Sequence, residues 1–240
     1  MDPAASYDSW YDSPRGRWIG ETEYRLISRQ LCPLPGEFVL DAGCGTGWFS
    51  RRFFLERLCV AGLDKNLDWL RFSGSRSPDS LQWIGGDLRC LPFRDRTFDR
   101  VFSIAALCFV DDEREAVRKI VRVTRRRFVI GWPNRDSLLY RQKRVKGEIG
   151  SYRGTRWHRP GELPDLFTDC GWAPSNPIPA SRCLKEISGQ EFWSGSCRTI
   201  GSGALSFFYP GKECRFPFAI GRPLFREDLP GTLLWFSPAR

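Results

Sequence analysis

A glycine-rich stretch of the chain has the composition of a nucleotide-binding turn. It runs from Val39 to Gly47 and reads Val-Leu-Asp-Ala-Gly-Cys-Gly-Thr-Gly, so that an apolar strand leads into Asp-x-Gly-x-Gly-x-Gly. Glycines let a strand-to-helix turn take positive φ and bring bare backbone against a ligand, and the following helix offers unpaired N–H groups to an anion. The pattern predicts a cofactor turn at Asp41, Gly43 and Gly45 that receives an anionic group such as a carboxylate.

A second acidic side chain follows at a distance typical of nucleotide sites. Asp64 lies 23 residues after Asp41 and directly follows the apolar run Cys59-Val60-Ala61-Gly62-Leu63. A carboxylate at the carboxyl end of the second strand is placed to accept hydrogen bonds from two ribose hydroxyls. The alternative is that Asp64 only caps the next helix, since aspartate is a preferred N-cap residue.

The glycine pattern fits two kinds of cofactor. The dinucleotide fingerprint G-x-G-x-x-G, read from Gly43, requires glycine where Trp48 stands, and an indole there blocks close packing of the helix on the strand. Read from Gly45, the same fingerprint ends in the small residue Ser50. A nicotinamide-dependent dehydrogenase therefore stays open as an alternative to S-adenosylmethionine as the cofactor.

The elements that must position these residues are strands and helices in alternation. Phe38-Val39-Leu40 has the continuous apolar character of a buried parallel strand, and apolar residues at helical spacing follow the glycine turn. Further along, the pattern predicts a helix from near Arg17 to Leu31 and a fifth strand at Phe128–Trp132. This alternation is typical of an α/β domain.

The next segment makes the likeness to a known family specific. Asp87 ends a third strand, Leu91-Pro92-Phe93 forms a turn after it, and Phe98-Asp99 opens a fourth strand. With the glycine turn and Asp64, these pieces have the order and spacing found in class I S-adenosylmethionine-dependent methyltransferases. Between about residues 7 and 172 the chain resembles the small-molecule branch of that family, which is related to the ubiquinone and menaquinone C-methyltransferases.

The resemblance implies a fold, a cofactor and a set of contacts. The fold would be α/β and Rossmann-like, with a seven-stranded, mostly parallel sheet, helices on both faces, and closing strands after Trp172 and at Phe218–Pro223. The cofactor would be S-adenosyl-L-methionine. The residues implied to bind it, from its methionine end to its adenine, are Asp41, Gly43, Gly45, Asp64, Asp87 and Leu88, while Ser103, Ile104 and Ala105 would flank the transferred methyl group.

Length and resemblance together predict a single methyltransferase domain over residues 1–240. Within it we expect an N-terminal lid and helix at 1–32, a cofactor-binding core at 37–132, a substrate-side insertion with closing strands at 133–223, and a tail at 224–240. The aromatic start of the chain resembles a segment that folds over the cofactor in related enzymes, which makes Tyr11 and Trp18 candidate substrate-side lid residues. Core packing is the alternative for both.

The formal net charge is +9, and basic residues are concentrated on either side of the fifth strand. Arg122 and the arginines at 125–127 precede the strand and would form a solvated surface away from the cofactor. The second group follows the strand at the carboxyl edge, where ligands bind in open α/β sheets, and comprises Arg135, Arg141, Lys143, Arg144, Lys146, Arg153, Arg156 and Arg159. Arg135 is therefore a candidate acceptor-binding residue, with a solvated helix face as the alternative.

These observations predict an enzyme that moves a methyl group to a small-molecule acceptor, possibly an anionic one. RNA or protein as the acceptor, and a module that binds the cofactor without turnover, stay open as alternatives, because basicity alone is only an electrostatic footprint. If the methylated atom is oxygen or nitrogen, a proton must leave. His158, the only histidine, is then the candidate general base, and a surface position without a catalytic role is the alternative.

Cysteine usage and hydropathy limit the remaining classes. The nine cysteines include no C-x-x-C pair, so buried free thiols are expected and no metal site is predicted. No apolar run approaches the ~20 residues that span a bilayer, and the start of the chain lacks the pattern of a secretory signal. The expected location is the cytoplasm.

Overall fold

The sheet places five parallel strands side by side. The computed structural model describes residues 2–137, 140–141 and 154–170, together with the backbone of 218–221 and 233–234. The parallel strands are β1 (Phe38–Ala42), β2 (Cys59–Asp64), β3 (Gln82–Gly85), β4 (Phe98–Ile104) and β5 (Thr124–Gly131). They stand in the order β3-β2-β1-β4-β5, which confirms the Rossmann-like, mostly parallel arrangement expected from the sequence.

Two short antiparallel strands continue this sheet beyond β5. They are β6 (Phe218–Gly221), which pairs with β5, and β7 (Leu233–Leu234), which pairs with β6. The backbone pairing at Phe218–Gly221 agrees with the strand expected there, but the strand at the outer edge is Leu233–Leu234, for which the sequence pattern offered no assignment. The strand expected directly after Trp172 falls outside the described residues.

Five helices connect and cover the strands, and side-chain caps explain several of their starts. They are α1 (Pro3–Ser9), α2 (Pro14–Leu31), α3 (Trp48–Phe54), α4 (Leu67–Ser75) and α5 (Glu113–Val123) within the described part of the chain. Helix α2 begins three residues before the expected Arg17, because the Ser13 hydroxyl accepts a hydrogen bond from the Gly16 N–H at 3.0 Å and Pro14 suits the first helical position.

Each face of the sheet is buried by helices. On one face, Leu26, Ile27 and Leu31 of α2 pack with Phe53 of α3 against Phe102 and other apolar residues of β1, β2, β4 and β5. On the opposite face, apolar residues of α5 such as Ile120 pack against the same strands. Both clusters consist of side chains that are almost wholly buried, so the sheet is covered on both sides as a parallel sheet requires.

Strand β5 begins four residues earlier than the sequence pattern predicted. Its first residue is Thr124, directly after α5, so the arginines at 125–127 belong to the amino end of the strand. Arg125 and Arg126 lie 3.0 and 3.5 Å from the carboxylate of Asp99, and Arg100 lies 2.8 Å from Glu37. Arg125 and Arg126 are thus ion-paired at the edge opposite the glycine turn, while their side chains stay 46% and 59% exposed, in agreement with the solvated surface expected there.

Candidate active site

A cavity of about 550 Å³ opens at the carboxyl edge of the sheet, within the size range of small-molecule sites. Its wall takes in residues from the ends of β1, β2 and β4 and from the segment after β3. Asp41, Asp64 and Asp87, which the sequence assigned to one site, all line this wall. Parallel strands bring their carboxyl ends to one edge, and this explains why residues up to 46 positions apart in sequence meet here.

The glycine turn after β1 brings bare backbone to the cavity. Gly43 has a φ of 85° and Gly45 a φ of 56°, both in the left-handed region. A Cβ on Gly43 would lie 2.2 Å from the Cβ of Ala106, so no side chain fits between the turn and the segment after β4. The N–H of Gly43 donates to the carbonyl oxygen of Leu63 at 2.7 Å, which ties the turn to β2. The two glycines therefore form a cradle that larger residues would fill.

Asp41 is a nearly inaccessible carboxyl group in the cavity wall. Only 2% of the residue is exposed, and its Oδ2 accepts a hydrogen bond from the Ser50 hydroxyl at 2.6 Å. Burial raises the pKa of Asp41 to about 7, the Ser50 bond acts in the opposite direction, and the negative charge of Asp64 adds to the rise. Near neutral pH this carboxyl therefore changes charge readily, and a nearby cation would favour its ionised form.

Asp64 joins the second strand to the glycine turn. Its Oδ2 accepts the Gly45 N–H at 2.8 Å and its Oδ1 accepts the Asn66 N–H at 2.9 Å. The helix that follows is capped by Asn66, whose side chain accepts from the N–H groups of Asp68 and Trp69. The alternative role for Asp64 as a helix cap is therefore wrong. Each carboxylate oxygen can accept a further hydrogen bond, as a ribose diol requires.

Asp87 faces the cavity with an arginine partner that the sequence analysis missed. Arg89 grips its carboxylate through Nε and Nη2, the latter at 2.7 Å, and the Arg89 N–H donates to Oδ1 at 2.8 Å. These hydrogen bonds lower the pKa of Asp87 to about 2, so the group stays ionised. Leu88, between them, is buried and lines the same wall. The sequence signal that could have revealed this ion pair is that Asp87 and Arg89, with opposite charges, are only two positions apart.

Ser103 does not reach the cavity. It is fully buried, and its hydroxyl donates to the carbonyl oxygen of Ala42 at 2.6 Å, which joins β4 to β1. The wall is formed instead by the next residues, Ile104, Ala105 and Ala106. Because side chains alternate along a strand, a one-residue step decides which of them points to the ligand space, and the assignment of Ser103 is corrected accordingly.

The N-terminal aromatic segment covers part of the cavity. Tyr11 is 6% exposed and stacks on Trp48 with ring centroids 4.5 Å apart and planes 17° apart. Gly20 permits this pair, since a Cβ there would lie 2.8 Å from both rings. Tyr7 packs on Trp69 at 5.1 Å, and both line the cavity with Tyr11. These two contacts were not anticipated, because the partners are far apart in sequence.

The second candidate lid residue lies elsewhere. Trp18 is half-buried on α2 and is absent from the cavity wall, whereas Trp10, which was not singled out, lines it. Helical geometry accounts for the difference, because Trp18 and the cavity-lining Glu23 are five positions apart on α2 and therefore point in different directions. The structure thus brings Tyr11 but not Trp18 to the site.

His158 and Arg135 are not in the cavity wall either. The Nε2 of His158 lies 2.7 Å from a carboxylate oxygen of Glu113 at the start of α5, and its ring packs edge-on against Trp132. Arg135 is exposed, and its N–H donates to the carbonyl oxygen of His158 at 2.9 Å. The histidine therefore joins α5 to the segment after β5, outside the cavity wall, and its role as a general base stays a prediction.

Two arginines of the second basic group, Arg156 and Arg159, bind within the protein. Arg156 donates from its guanidinium to the carbonyl oxygen of Val110 at 2.9 Å, and Arg159 lies 3.4 Å from Asp136. Neither lines the cavity, whose charged residues among those described are Glu23, Asp41, Asp64, Asp87 and Asp111 against Lys65 and Arg89. The sequence analysis missed Glu23, whose helical position within an amphipathic pattern gave no sign that it faces a cavity.

Comparison with known proteins places this geometry in context. The methyltransferase domain family matches residues 40–129. An uncharacterised protein of Mycobacterium tuberculosis is 35% identical over 190 residues, which are 75% of this chain and 60% of that protein. The demethylmenaquinone methyltransferase of Renibacterium salmoninarum is 36% identical over 101 residues, 42% of either chain. The chain thus spans about 60% of the length of the former relative.

Solved methyltransferase structures share the fold of this chain. A SAM-dependent methyltransferase from Thermotoga maritima aligns with a TM-score of 0.59 over 70% of this chain and 77% of its own, at 23% identity. The magnesium protoporphyrin IX methyltransferase of Synechocystis, solved with bound SAH, aligns with a TM-score of 0.56 over 71% and 86%, at 16% identity. At these identities the likeness concerns the fold alone.

Two classes of feature are absent from the described part of the chain. Among residues 2–137, 140–141 and 154–170, no three histidine, cysteine, aspartate or glutamate side chains are grouped so that they could hold a metal ion. Over the same residues, no helix combines the length and apolar character needed to cross a bilayer.

Proposed function

We propose that this protein moves a methyl group from S-adenosylmethionine to a small-molecule acceptor by in-line displacement. The reason is that residues 40–129 match the methyltransferase domain family, of the class I type that uses this cofactor. The division into an N-terminal lid at 1–32, a core at 37–132, an acceptor-side segment at 133–223 and a tail at 224–240 belongs to the same proposal. The alternatives are an RNA or protein acceptor and cofactor binding without turnover.

The observation that carries the proposal is the arrangement of three carboxylates around one glycine cradle. Asp41 lies at the end of β1, Asp64 at the end of β2, and Asp87 in the segment after β3. Because β1, β2 and β3 are neighbours in the sheet, the three carboxylates follow one another across it. A cofactor with an ammonium, a ribose diol and an adenine amino group presents hydrogen-bond donors in that same order. Carboxylates at these positions match all three donors, which a dinucleotide with its phosphates would not.

Each residue has a role that follows from its surroundings. Bound S-adenosylmethionine supplies a sulfonium methyl group that is already a good electrophile. Asp41 would then face the ammonium, Asp64 would accept from the ribose hydroxyls, and Asp87 with the Leu88 N–H would bind the adenine. Ile104 and Ala105 would border the methyl group. Positioning and exclusion of water by such walls can lower the barrier by several kcal/mol.

A small molecule is the acceptor that the cavity wall favours. Aromatic side chains line much of the cavity, and two arginines after β5, Arg156 and Arg159, are engaged with the protein itself. An extended RNA strand needs a basic groove along its backbone, and within the described part of the chain the cavity wall has Lys65 and Arg89 as its basic residues. An anionic acceptor, which the sequence favoured, depends on the basic group after β5, of which Lys143, Arg144, Lys146 and Arg153 lie outside the described residues.

Cofactor binding is tested by calorimetric titration with S-adenosylhomocysteine. We expect Asp64→Asn to weaken binding by about a hundredfold, since the acceptor loses its negative charge and one of its two oxygens is replaced by a donor NH2 group. The matched control is Asp68→Asn, a nearby aspartate whose side chain is 84% exposed, and it should bind like the wild type. Binding of NADH in preference to S-adenosylhomocysteine would support the dehydrogenase alternative instead.

Turnover is tested separately with methyl-labelled S-adenosylmethionine and a cell extract divided into metabolite, RNA and protein fractions. The proposal expects label in the metabolite fraction, and loss of that label with Asp64→Asn. Label confined to the RNA fraction or to the protein fraction would show that the acceptor is RNA or protein and not a small molecule. A protein that binds the cofactor but labels no fraction would be a binding module.

A further inference from the structure

The carboxylate of Asp87 is bound on both oxygens by one neighbouring residue, Arg89. The Arg89 N–H donates to Oδ1 at 2.8 Å, Nε lies 3.0 Å from Oδ1 and 3.2 Å from Oδ2, and Nη2 donates to Oδ2 at 2.7 Å. Both residues line the cavity. The proposed cofactor contacts give Asp87 a role at the adenine but leave the guanidinium of Arg89 without one.

The backbone around Asp87 is held in place by other parts of the fold. The Gly86 N–H donates to the carbonyl oxygen of Asp64 at 3.0 Å, and Arg122 of α5 donates to the carbonyl oxygen of Leu91 at 3.0 Å. The Asp87 side chain itself is 36% exposed, so packing does not fix the plane of its carboxylate. The last torsion of an aspartate is broad and weakly restrained. A hydrogen-bonding partner must therefore set the direction of the carboxylate lone pairs.

Arg89 supplies that restraint. A guanidinium is a planar fork whose N–H groups match a carboxylate in a bidentate manner, which fixes the relative orientation of the two groups. The side-chain hydrogen bond from Arg89 is also the largest cause that lowers the pKa of Asp87 to about 2, followed by the bond from the Arg89 N–H. The carboxylate is thus held in one plane and in its ionised form.

The contacts of Arg89 leave limited accepting capacity on Asp87. A carboxylate can accept about four hydrogen bonds, two on each oxygen. Oδ1 receives two donors, the N–H and Nε of Arg89, whereas Oδ2 receives Nη2 and only the longer contact from Nε. One accepting position therefore remains on Oδ2. It suits a single N–H of an exocyclic amino group, while a carbonyl oxygen placed there would be repelled.

Stability of the fold does not explain this ion pair. The side chains of Arg89 and Asp87 are 42% and 36% exposed, and pairs exposed to this extent contribute little to folding, because water screens the charges and ordering two side chains costs entropy. A second local pair, Arg71 with Asp68 on α4, lies outside the cavity wall. The position of the Arg89 pair in the wall is what distinguishes it.

We propose that Arg89 is a positioning residue that holds the Asp87 carboxylate ready to accept the amino group of adenine. Through this contact Arg89 sets the preference of the site for adenine over hypoxanthine, which carries a carbonyl oxygen in place of that amino group. The inference rests on the cofactor site of the proposed function. Arg89 acts through Asp87 and takes no part in the transfer of the methyl group.

The test compares two ligands that differ only in this group, S-adenosylhomocysteine and S-inosylhomocysteine. Calorimetric titration measures the affinity of each for the wild type, Arg89→Gln, Arg89→Lys, Asp87→Asn and the double variant of Asp87→Asn with Arg89→Gln. The matched control is Arg71→Gln, which removes a local arginine–aspartate pair outside the cavity wall. The melting temperature of every protein is measured as well.

We expect the wild type and the Arg71 control to bind S-adenosylhomocysteine about a hundredfold more tightly than S-inosylhomocysteine. Arg89→Gln should reduce this preference to about tenfold, with an unchanged melting temperature. Arg89→Lys should resemble Arg89→Gln, because lysine keeps the charge but lacks the planar fork. In the Asp87→Asn background, Arg89→Gln should change the preference no further, since the two residues act as one unit.

Several results would overturn the inference. A preference kept by Arg89→Gln, or an additive loss in the double variant, would show that Arg89 does not act through Asp87. Full preference in Arg89→Lys would show that charge alone suffices, and a much lower melting temperature of Arg89→Gln would make the pair structural. Tighter binding of S-adenosylhomocysteine by Arg89→Gln would mean that Arg89 competes with adenine for Asp87.

The wild type separates this inference from the proposed function. Equal binding of the two ligands would overturn the role of Arg89 in base selection while leaving the cofactor site in place. Binding of neither ligand would remove the proposed function itself.

Discussion

Replacement of Asp41 by asparagine should reveal the cost of a buried charge at the cofactor turn. In the folded protein the pKa of Asp41 is raised from 3.8 to about 7, chiefly by burial. Between these values the folded state holds a proton that the unfolded state has released, so the free energy of unfolding falls as pH rises toward 7 and is then constant. A rise of about 3 in the pKa of Asp41 lowers the free energy of unfolding above pH 7 by about 4 kcal/mol, relative to a group with an unshifted pKa.

Asparagine has the shape of aspartate but no titration, so the variant lacks this pH dependence. We expect the stability advantage of Asp41→Asn over the wild type to grow by about 2–3 kcal/mol between pH 5 and pH 8. The change with pH is the diagnostic quantity, because altered hydrogen bonding to Ser50 adds the same amount at both pH values. Urea unfolding at the two pH values measures it, with Asp68→Asn as the exposed control.

The same residue should control the pH dependence of cofactor binding. If the ammonium of S-adenosylhomocysteine binds beside ionised Asp41, the wild type should bind about tenfold more tightly at pH 8 than at pH 6, since a group with a pKa near 7 changes from mostly protonated to mostly ionised over that range. Asp41→Asn should show a weaker and flatter profile. A stability difference independent of pH, or identical binding profiles for the two proteins, would refute the reasoning.

Three further substitutions test the glycine turn, the aromatic wall and the role of His158. Gly43→Ala should destabilise the protein by about 2 kcal/mol more than Gly36→Ala in urea unfolding, because both residues have a φ near 85° but only Gly43 faces a contact, at 2.2 Å. Equal costs would mean that the turn is not tightly approached. Tyr11→Ala should lower both stability, by about 3 kcal/mol, and affinity for S-adenosylhomocysteine, whereas Trp18→Ala should leave the affinity unchanged in calorimetry. His158→Gln should lower the melting temperature yet keep cofactor binding and methyl transfer, and abolished transfer by a folded variant would restore its catalytic assignment.

The sequence was sufficient where a function depends on residues that are neighbours in the chain. The apolar run followed by glycines at 43, 45 and 47 defines a strand and a turn locally, because only glycine takes positive φ without strain in consecutive tight positions. Parallel strands then bring their carboxyl ends to one edge, so Asp41 and Asp64 could be assigned to one wall from their spacing, and Asp87 from the resemblance to the methyltransferase family. The helix bounds differed by a few residues, since caps such as Ser13 decide them.

The positions of other polar residues depended on contacts between distant segments. His158 and Arg156 occur in a basic segment that follows β5, yet in the structure they bind Glu113 and the carbonyl oxygen of Val110. Ser103 and Ile104 are neighbours on β4, but only Ile104 lines the cavity. Charge and residue type suggest which groups could serve a site. Charge and residue type do not determine the direction in which each side chain points.

Sequence by itself thus determined the cofactor cradle, because its parts are local patterns joined by a rule of parallel sheets. Tertiary structure alone decided the rest of the wall: which aromatic rings line the cavity, that Glu23 belongs to its wall, and that Arg156 and Arg159 bind elsewhere in the protein. The physical reason is that strand register and helix rotation are set by packing of the whole core, which sums many small contacts between segments far apart in the chain.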